Sequence, residues 1–347
     1  MKSRKVSSAW LTVTHLCNLR CKWCYQRELG GEGKTMPKEL ANQLVDLLAE
    51  LGLETIVLIG GEPTLYDHFF TLIKYIKTKG MRVNMVSNGL AFANQGFLDE
   101  AVEIGVDDIT TSVKGSSREE YKKSTGYPLG YDLILQAIRA IQKTPIRQKV
   151  FITVSYSIIQ NWNNMVRFVK ECEGSLFLFS FEKPTLLSGG RFVLDERMMP
   201  EKVAPFVQEV MYPSLVETGL DFKIDLMSPQ CYFPEEFINQ IEAQQHIYGG
   251  CFLLGSKGII FDPKGFVLPC NHFLCYPLGK YGIDFKTINE FLKWRETDKI
   301  RRFYETTSKA PCEECAKCSR WDRCSGGCRL WWLYQKPQEL FKLTSVN

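Results

Sequence analysis

Six short runs rich in β-branched and aromatic residues, at 9–14, 55–59, 82–87, 108–113, 150–157 and 176–181, punctuate the first half of the chain. Between them, apolar residues recur at three- and four-residue spacing at 38–51, 69–79, 96–105, 131–142 and 163–172, as in Leu40, Leu44, Leu47, Leu48 and Leu51. The first pattern predicts strands and the second amphipathic helices. Strict alternation of the two predicts parallel strands joined by right-handed helical crossovers. The expected fold class is therefore α/β, a partial (β/α)6 TIM-like barrel over residues 1–190. In such barrels the loops at the C-terminal strand ends carry the chemistry.

Residues 191–245 read as a connector, with one helix at 200–218 and a polar stretch around Ser228-Pro229-Gln230-Cys231. A β-hairpin follows, with strands Gly258–Phe261 and Phe266–Leu268 about the turn Asp262-Pro263-Lys264-Gly265. A helix is expected at 287–304. These pieces make a small cysteine-rich domain, hairpin plus helix, over 246–335, and leave 336–347 as a tail.

Composition narrows the function classes. The 347 residues are 45% hydrophobic and 24% charged with a net charge of +4, enough for a large core plus a small domain. The slight excess of base includes no Lys/Arg run that would attract nucleic acid, and no apolar run could cross a bilayer. The basic start Met1-Lys-Ser-Arg-Lys5 is followed by a stretch broken by Ser, Thr and His, which does not fit a signal peptide. The expected location is the cytoplasm. Thirteen cysteines are the outlying number. In short C-x2-C spacings, and odd in count, they read as metal ligands rather than a disulfide framework.

The first set is Cys17, Cys21 and Cys24, three thiols within eight residues, directly after the first strand and followed by Tyr25. A 4Fe–4S cube takes four ligands, usually thiolates. Three thiolates leave one iron open, and an open position marks a catalytic metal centre. The second strand ends in Gly60-Gly61-Glu62-Pro63, where paired glycines admit close approach to a ligand and the carboxylate can accept from an ammonium. Alone, this would be a tight turn with a surface Glu. The third strand ends in Ser87-Asn88-Gly89, whose polar side chains suit a ribose and which alone is a turn signal. The fourth ends in Ser112-Val113-Lys114-Gly115.

The cysteine loop closed by Tyr25, followed at the next strand end by Gly60–Pro63, resembles the radical S-adenosylmethionine (SAM) superfamily. That resemblance implies that the SAM amine and carboxylate chelate the open iron. One-electron cleavage then gives a 5′-deoxyadenosyl radical that takes hydrogen from a substrate. It further implies that Gly61 and Glu62 hold the methionine ammonium, that Ser87 and Asn88 lie near the ribose and that Tyr25 packs near adenine. Lys114 stands where many relatives carry Asp; it either meets a carboxylate of SAM or substrate, or points to solvent.

The second set comprises Cys251, Gly265 and Cys270 across the hairpin, then Cys312, Cys315, Cys318, Cys324 and Cys328, with Gly326-Gly327 able to bring backbone N–H groups to sulfur. Spacing alone fits a structural zinc ribbon as well as iron–sulfur ligation. The order C-x13-G-x4-C, then C-x2-C-x5-C-x3-C, resembles the SPASM extension of some radical SAM enzymes. The resemblance implies two auxiliary clusters, one on Cys251, Cys270 and Cys328 and one on Cys315, Cys318 and Cys324. The family's last cysteine, downstream of Cys328, is missing. Cys312 is the obvious substitute, unless the second cluster keeps an open iron or is not a full cube. For the first, Cys231 or Cys275 supplies the fourth ligand, the upstream Cys231 being favoured. Cys172 reads as a buried apolar residue.

The resemblance implies an enzyme, most often one that modifies a peptide. The first expectation is hydrogen abstraction from a ribosomally made peptide, then crosslinking or oxidation, with extra clusters carrying an electron away. The alternatives are a small molecule of tetrapyrrole or sugar type, or sulfatase maturation; a non-catalytic electron-transfer protein is the remote one. The first strand begins close to Met1, so a leader-binding domain, if used, is expected on a separate protein. An electron donor such as flavodoxin or ferredoxin is implied as a partner. No catalytic base is legible; Tyr residues, Lys114 and His272 are candidates by type alone.

Overall fold

The computed structural model describes residues 6, 8–26, 35–251, 253, 258–274 and 276–336. Cys275 and most of the expected tail lie outside the described residues. The strands are β1 (Ser8–Thr14), β2 (Thr55–Gly60), β3 (Arg82–Ser87), β4 (Asp108–Val113), β5 (Arg147–Val154) and β6 (Leu176–Phe181), then β7 (Thr185–Leu186), β8 (Phe192–Val193), β9 (Phe222–Asp225), β10 (Gly258–Phe261), β11 (Phe266–Leu268) and β12 (Gly279–Lys280). Ten of them form one sheet in the order β12-β11-β10-β1-β2-β3-β4-β5-β6-β9. The run from β10 through β1 to β9 is parallel, and β10, β11 and β12 pair antiparallel. The parallel α/β arrangement agrees with the sequence pattern. The sheet is open, with β12 and β9 as its edge strands.

The core strands are buried because both faces are covered. β4 is buried at every position although Asp108, Thr110, Thr111 and Ser112 are polar, and Val150, Ile152 and Val154 of β5 are fully buried. The helices Lys38–Glu50, Phe69–Thr78, Gln95–Glu103, Gly130–Ile141 and Trp162–Glu171 present Leu44, Ile73, Leu98, Ile138 and Phe168 to that core.

The structure differs from the sequence reading in five places. β5 begins three residues earlier than expected, and 155–157 belongs instead to the start of the helix Tyr156–Gln160. An unexpected polar helix, Arg118–Thr125, follows β4. The connector holds β9, which pairs with β6, and the helix Glu235–Ala243. Its expected 200–218 helix forms with a π-helical turn, Val207–Met211, at its centre. The expected 287–304 helix is two, Ile288–Arg295 and Asp298–Ser308, the first closed at its start by a Thr287–Glu290 capping box. The hairpin falls on its expected residues, and its β10 lies against β1, so it extends the main sheet beside the first cysteine loop.

Candidate active site and thiol groups

The first cysteine loop leaves β1 and is pinned from the far side. Arg20 N–H donates to Thr125 O at 2.9 Å and Lys22 N–H to Ser124 O at 3.1 Å, so the end of the Arg118–Thr125 helix holds the loop's shape. Cys17 is exposed, Cys24 half-buried and Cys21 buried. Leu19 N–H lies 3.4 Å from Cys17 Sγ. Desolvation of its sulfur, opposed by that contact and reinforced by the charges of Glu62, Cys21 and Cys24, pushes the Cys17 thiol up to about 11 although the residue as a whole is exposed. Such thiols ionise readily only against a cation.

The glycine motif lies directly on this loop. Gly61 N–H donates to Thr14 O and Glu62 N–H to Leu16 O, each at 2.7 Å. A Cβ on Gly61 would stand 2.2 Å from Leu16 O and 2.6 Å from His15 O, so only glycine fits. Glu62 is fully buried. Its Oε1 accepts from Ser87 Oγ (2.7 Å), Thr64 Oγ1 (2.8 Å) and Thr64 N–H (3.2 Å), and its Oε2 accepts from Asn88 N–H (2.7 Å). Burial raises its pKa against those four donors. Oε2, with one donor, keeps acceptor capacity for a further cation.

Ser87 also accepts from Gly89 N–H (2.9 Å), while the Asn88 side chain donates to Asn18 Oδ1 (2.7 Å) and accepts from Leu90 N–H (3.0 Å). Both side chains therefore position Glu62 and the cysteine loop. Pro63 is buried and starts the short helix Pro63–Leu65. Lys114 is half-buried, donates to Ser112 Oγ at 2.5 Å, and its charge favours the Cys21 thiolate, so it faces the loop.

One neighbour was not legible in the sequence. Tyr121, on the Arg118–Thr125 helix, is wholly buried, and among the described residues its hydroxyl has no hydrogen-bond partner. Burial raises its pKa, reinforced by the charges of Cys21, Glu62 and Cys17, which places that hydroxyl at the thiol loop. An orphaned buried hydroxyl and a glycine-lined carboxylate fit a polar ligand of the kind SAM is.

A cavity of about 400 Å³ opens from Cys24 and Tyr25 and is lined by Ser155, Tyr156, Glu182, Lys183, Asp195 and Arg197, among others. Glu182 directly follows β6, the strand-end position at which barrel chemistry is expected. Burial, reinforced by Asp195 and opposed by Arg197, raises it to about 7. Lys183 donates to Asp225 Oδ2 at 3.1 Å and is held charged, after its burial cost, by Asp225, Cys328 and Cys270.

Lys183 thus stands between the cavity and the next thiol group. Cys270 and Cys328 are pushed up by burial to about 11 and about 12; both feel Cys251, and Cys328 feels Cys270. His272 N–H lies 3.4 Å from Cys270 Sγ. His272 itself is held neutral, near 3, by burial and by Lys183, with Nδ1 on Thr185 Oγ1 at 2.9 Å. Tyr25, expected near adenine, has its ring centroid 5.0 Å from that of His272.

The other thiol group gathers Cys312, Cys315, Cys318 and Cys324, and Cys231 joins it. Gln230 N–H donates to Cys324 Sγ at 3.2 Å. Cys231 was expected beside Cys251, Cys270 and Cys328; the connector carries it elsewhere. Cys172 is buried at the end of its helix, as expected. Among the described residues no three His, Cys, Asp or Glu side chains converge on one point as ligands of a single ion. Each iron of a cube takes its own outside ligand, so thiols grouped around a larger body suit that donor set.

Residues 11–171 match the Radical SAM superfamily. A probable GTP 3′,8-cyclase of Pyrococcus abyssi is 26% identical over 198 residues, 55% of this chain and 62% of that protein. One of Metallosphaera sedula is 33% identical over 142 residues, 39% of this chain and 43% of that protein. The chain thus spans less than two thirds of either curated relative. The solved structure of native anSMEcpe with bound AdoMet superposes with a TM-score of 0.72 at 18% identity, covering 97% of this chain and 96% of that one. Streptococcus suis SuiB bound to its precursor peptide SuiA gives 0.69 at 15% identity, covering 94% and 72%. These likenesses establish the fold along nearly the whole chain.

Proposed function

We propose, for a chain whose residues 11–171 match the Radical SAM superfamily, that it takes hydrogen from a side chain of an extended peptide for crosslinking or oxidative modification. Bound SAM, with one electron from a 4Fe–4S cluster, supplies the hydrogen-abstracting 5′-deoxyadenosyl radical. Cys17, Cys21 and Cys24 hold that cluster; Gly61 and Glu62 receive the SAM ammonium, and Lys114 and Tyr121 face the same space. The residues of the cavity orient the substrate.

The observation that carries the peptide reading is the edge of β8. β7 and β8 pair antiparallel, and Leu186 of β7 bridges to Phe273 on its other side. Among the described residues no other strand pairs with β8, and its outer edge lies next to the cavity, which Val193, Leu194 and Asp195 help to line. An extended peptide can add to such an edge through main-chain hydrogen bonds and send one side chain inward. Solved structures of similar fold hold peptides, namely anSMEcpe with a Kp18Cys peptide and SuiB with SuiA. Oxidation or crosslinking at carbon also releases a proton, which Glu182 is placed to accept. The C-terminal thiols hold auxiliary clusters on this reading.

A nucleotide or other small molecule is the second reading, favoured by the curated relatives named GTP 3′,8-cyclase. Anaerobic turnover with dithionite separates the two. The peptide reading expects a peptide from a neighbouring reading frame to raise 5′-deoxyadenosine output and lose the mass of two hydrogens per modification. Stimulation and conversion of GTP, with peptides inert, would overturn it.

A further inference from the structure

We propose that Cys231, from the connector, closes the second auxiliary thiol group with Cys315, Cys318 and Cys324, in place of a cysteine downstream of Cys328. This rests on the reading that the C-terminal thiols hold iron–sulfur clusters.

The short helix Gln230–Tyr232 lies on the Cys324 turn, because Gln230 N–H donates to Cys324 Sγ at 3.2 Å. The thiol charges that Cys231 feels are those of Cys324, Cys318 and Cys312, and Cys315 in turn feels Cys231. The juxtaposition is built into the backbone. Cys328 N–H donates to Met227 O at 2.9 Å. Gly327, at φ +71°, lies so close that a Cβ would stand 2.5 Å from Met227 O. Arg320 donates to Asn239 Oδ1 (2.6 Å) and Arg323 to Glu242 Oε2 (3.2 Å), tying the helix Glu235–Ala243 to the same turn. These exposed polar contacts contribute little alone; the backbone contact at Gly327 fixes the register.

Cys312 is the competitor by spacing. Its thiol is a hydrogen-bond neighbour of Cys315, so the two serve one corner of a cube whose irons each take one outside ligand. Cys231 arrives on a separate segment and supplies a different corner. The resulting four-cysteine set is the usual one for a 4Fe–4S cluster, with the Gln230 N–H as a hydrogen bond that tunes its potential.

The test uses the full chain with Cys17→Ala, Cys21→Ala and Cys24→Ala, reconstituted anaerobically, so that bound iron reports only the C-terminal groups. Adding Cys231→Ser should lower iron and sulfide by up to one cluster, about four iron per chain, and remove one of the reduced-cluster EPR signals. Adding Cys312→Ser should leave both in place. Unchanged iron and EPR in Cys231→Ser, or the loss appearing in Cys312→Ser instead, overturns the assignment. A background that binds no iron sinks the auxiliary-cluster reading itself, and the assignment with it. Should Cys231→Ser fail to fold, alkylation of the wild-type protein decides. Cys231 should be protected together with Cys315, Cys318 and Cys324 when loaded, and labelled after iron is chelated. Labelling of Cys231 at equal rates in both forms, with the other three protected, overturns it.

Discussion

The ring of Tyr25 lies 5.0 Å from the imidazole of His272, tilted by 49°. The residue after Cys24 therefore touches the residue two past Cys270, although they belong to opposite ends of the chain. The contact follows from β10 pairing with β1, which brings the hairpin against the first cysteine loop. The first cysteine loop and the hairpin thiols are one assembly.

That contact has a measurable worth. His272→Ala removes an aromatic pair of about 0.5–1.5 kcal/mol and the Thr185 hydrogen bond, and truncates a half-buried side chain. A loss of about 2–4 kcal/mol in denaturant unfolding is expected. A change within about 0.5 kcal/mol would mean that the two stretches are not packed together.

Gly61→Ala tests the seat of the first loop. The new Cβ meets the carbonyl oxygens of Leu16 and His15, which are backbone atoms and cannot rotate away. The loop must shift, at a cost of about 1–3 kcal/mol. SAM affinity by equilibrium dialysis should fall at least tenfold. Wild-type affinity in the variant would remove Gly61 from the binding site.

Tyr121→Phe separates a ligand-facing hydroxyl from a structural one. A buried hydroxyl without a partner costs about 1–3 kcal/mol. The variant should be as stable as wild type, or more so, when free of ligand. Its SAM affinity should nevertheless fall several-fold. A destabilised variant with unaltered SAM affinity would place the hydroxyl in the fold rather than the site.

Glu182 makes a prediction in pH. Its ordinary value is 4.5 and its folded value about 7. Below 4.5 it is neutral in both states; between the two values the folded chain holds the proton more tightly, so stability falls as pH rises. The loss is complete above 7 and amounts to up to about 3 kcal/mol. Glu182→Gln should therefore match wild type near pH 4 and unfold at higher temperature near pH 8. As a proton acceptor, Glu182 also predicts substrate modification that rises with pH through about 7. The Gln variant should lose that rise while still forming 5′-deoxyadenosine. An unaltered pH profile would exclude Glu182 from proton transfer.

The parallel core was legible because its strands are short runs rich in β-branched and aromatic residues and its helices carry a 3.6-residue stripe. β5 began too late in that reading because Arg147, Gln148 and Lys149 are polar. The Arg118–Thr125 helix carries no amphipathic stripe, because Tyr121 is its one large apolar residue, so neither the helix nor Tyr121 leaves a signal in the pattern. The thiol sets were legible from spacing, but the place of Cys231 was not. Cys231 meets Cys324 only through the folded connector, and a distance of that kind leaves no local pattern. Glu182 was within reach, since it directly follows β6.

The most direct test of the radical SAM assignment is formation of 5′-deoxyadenosine from SAM by the anaerobically reconstituted chain with dithionite. The wild-type protein should produce it. Cys17→Ala, which removes a proposed cluster ligand from the exposed end of the loop, should not, while keeping any iron held by the C-terminal thiols. A fully iron-loaded wild-type chain that binds SAM and leaves it uncleaved would contradict the account.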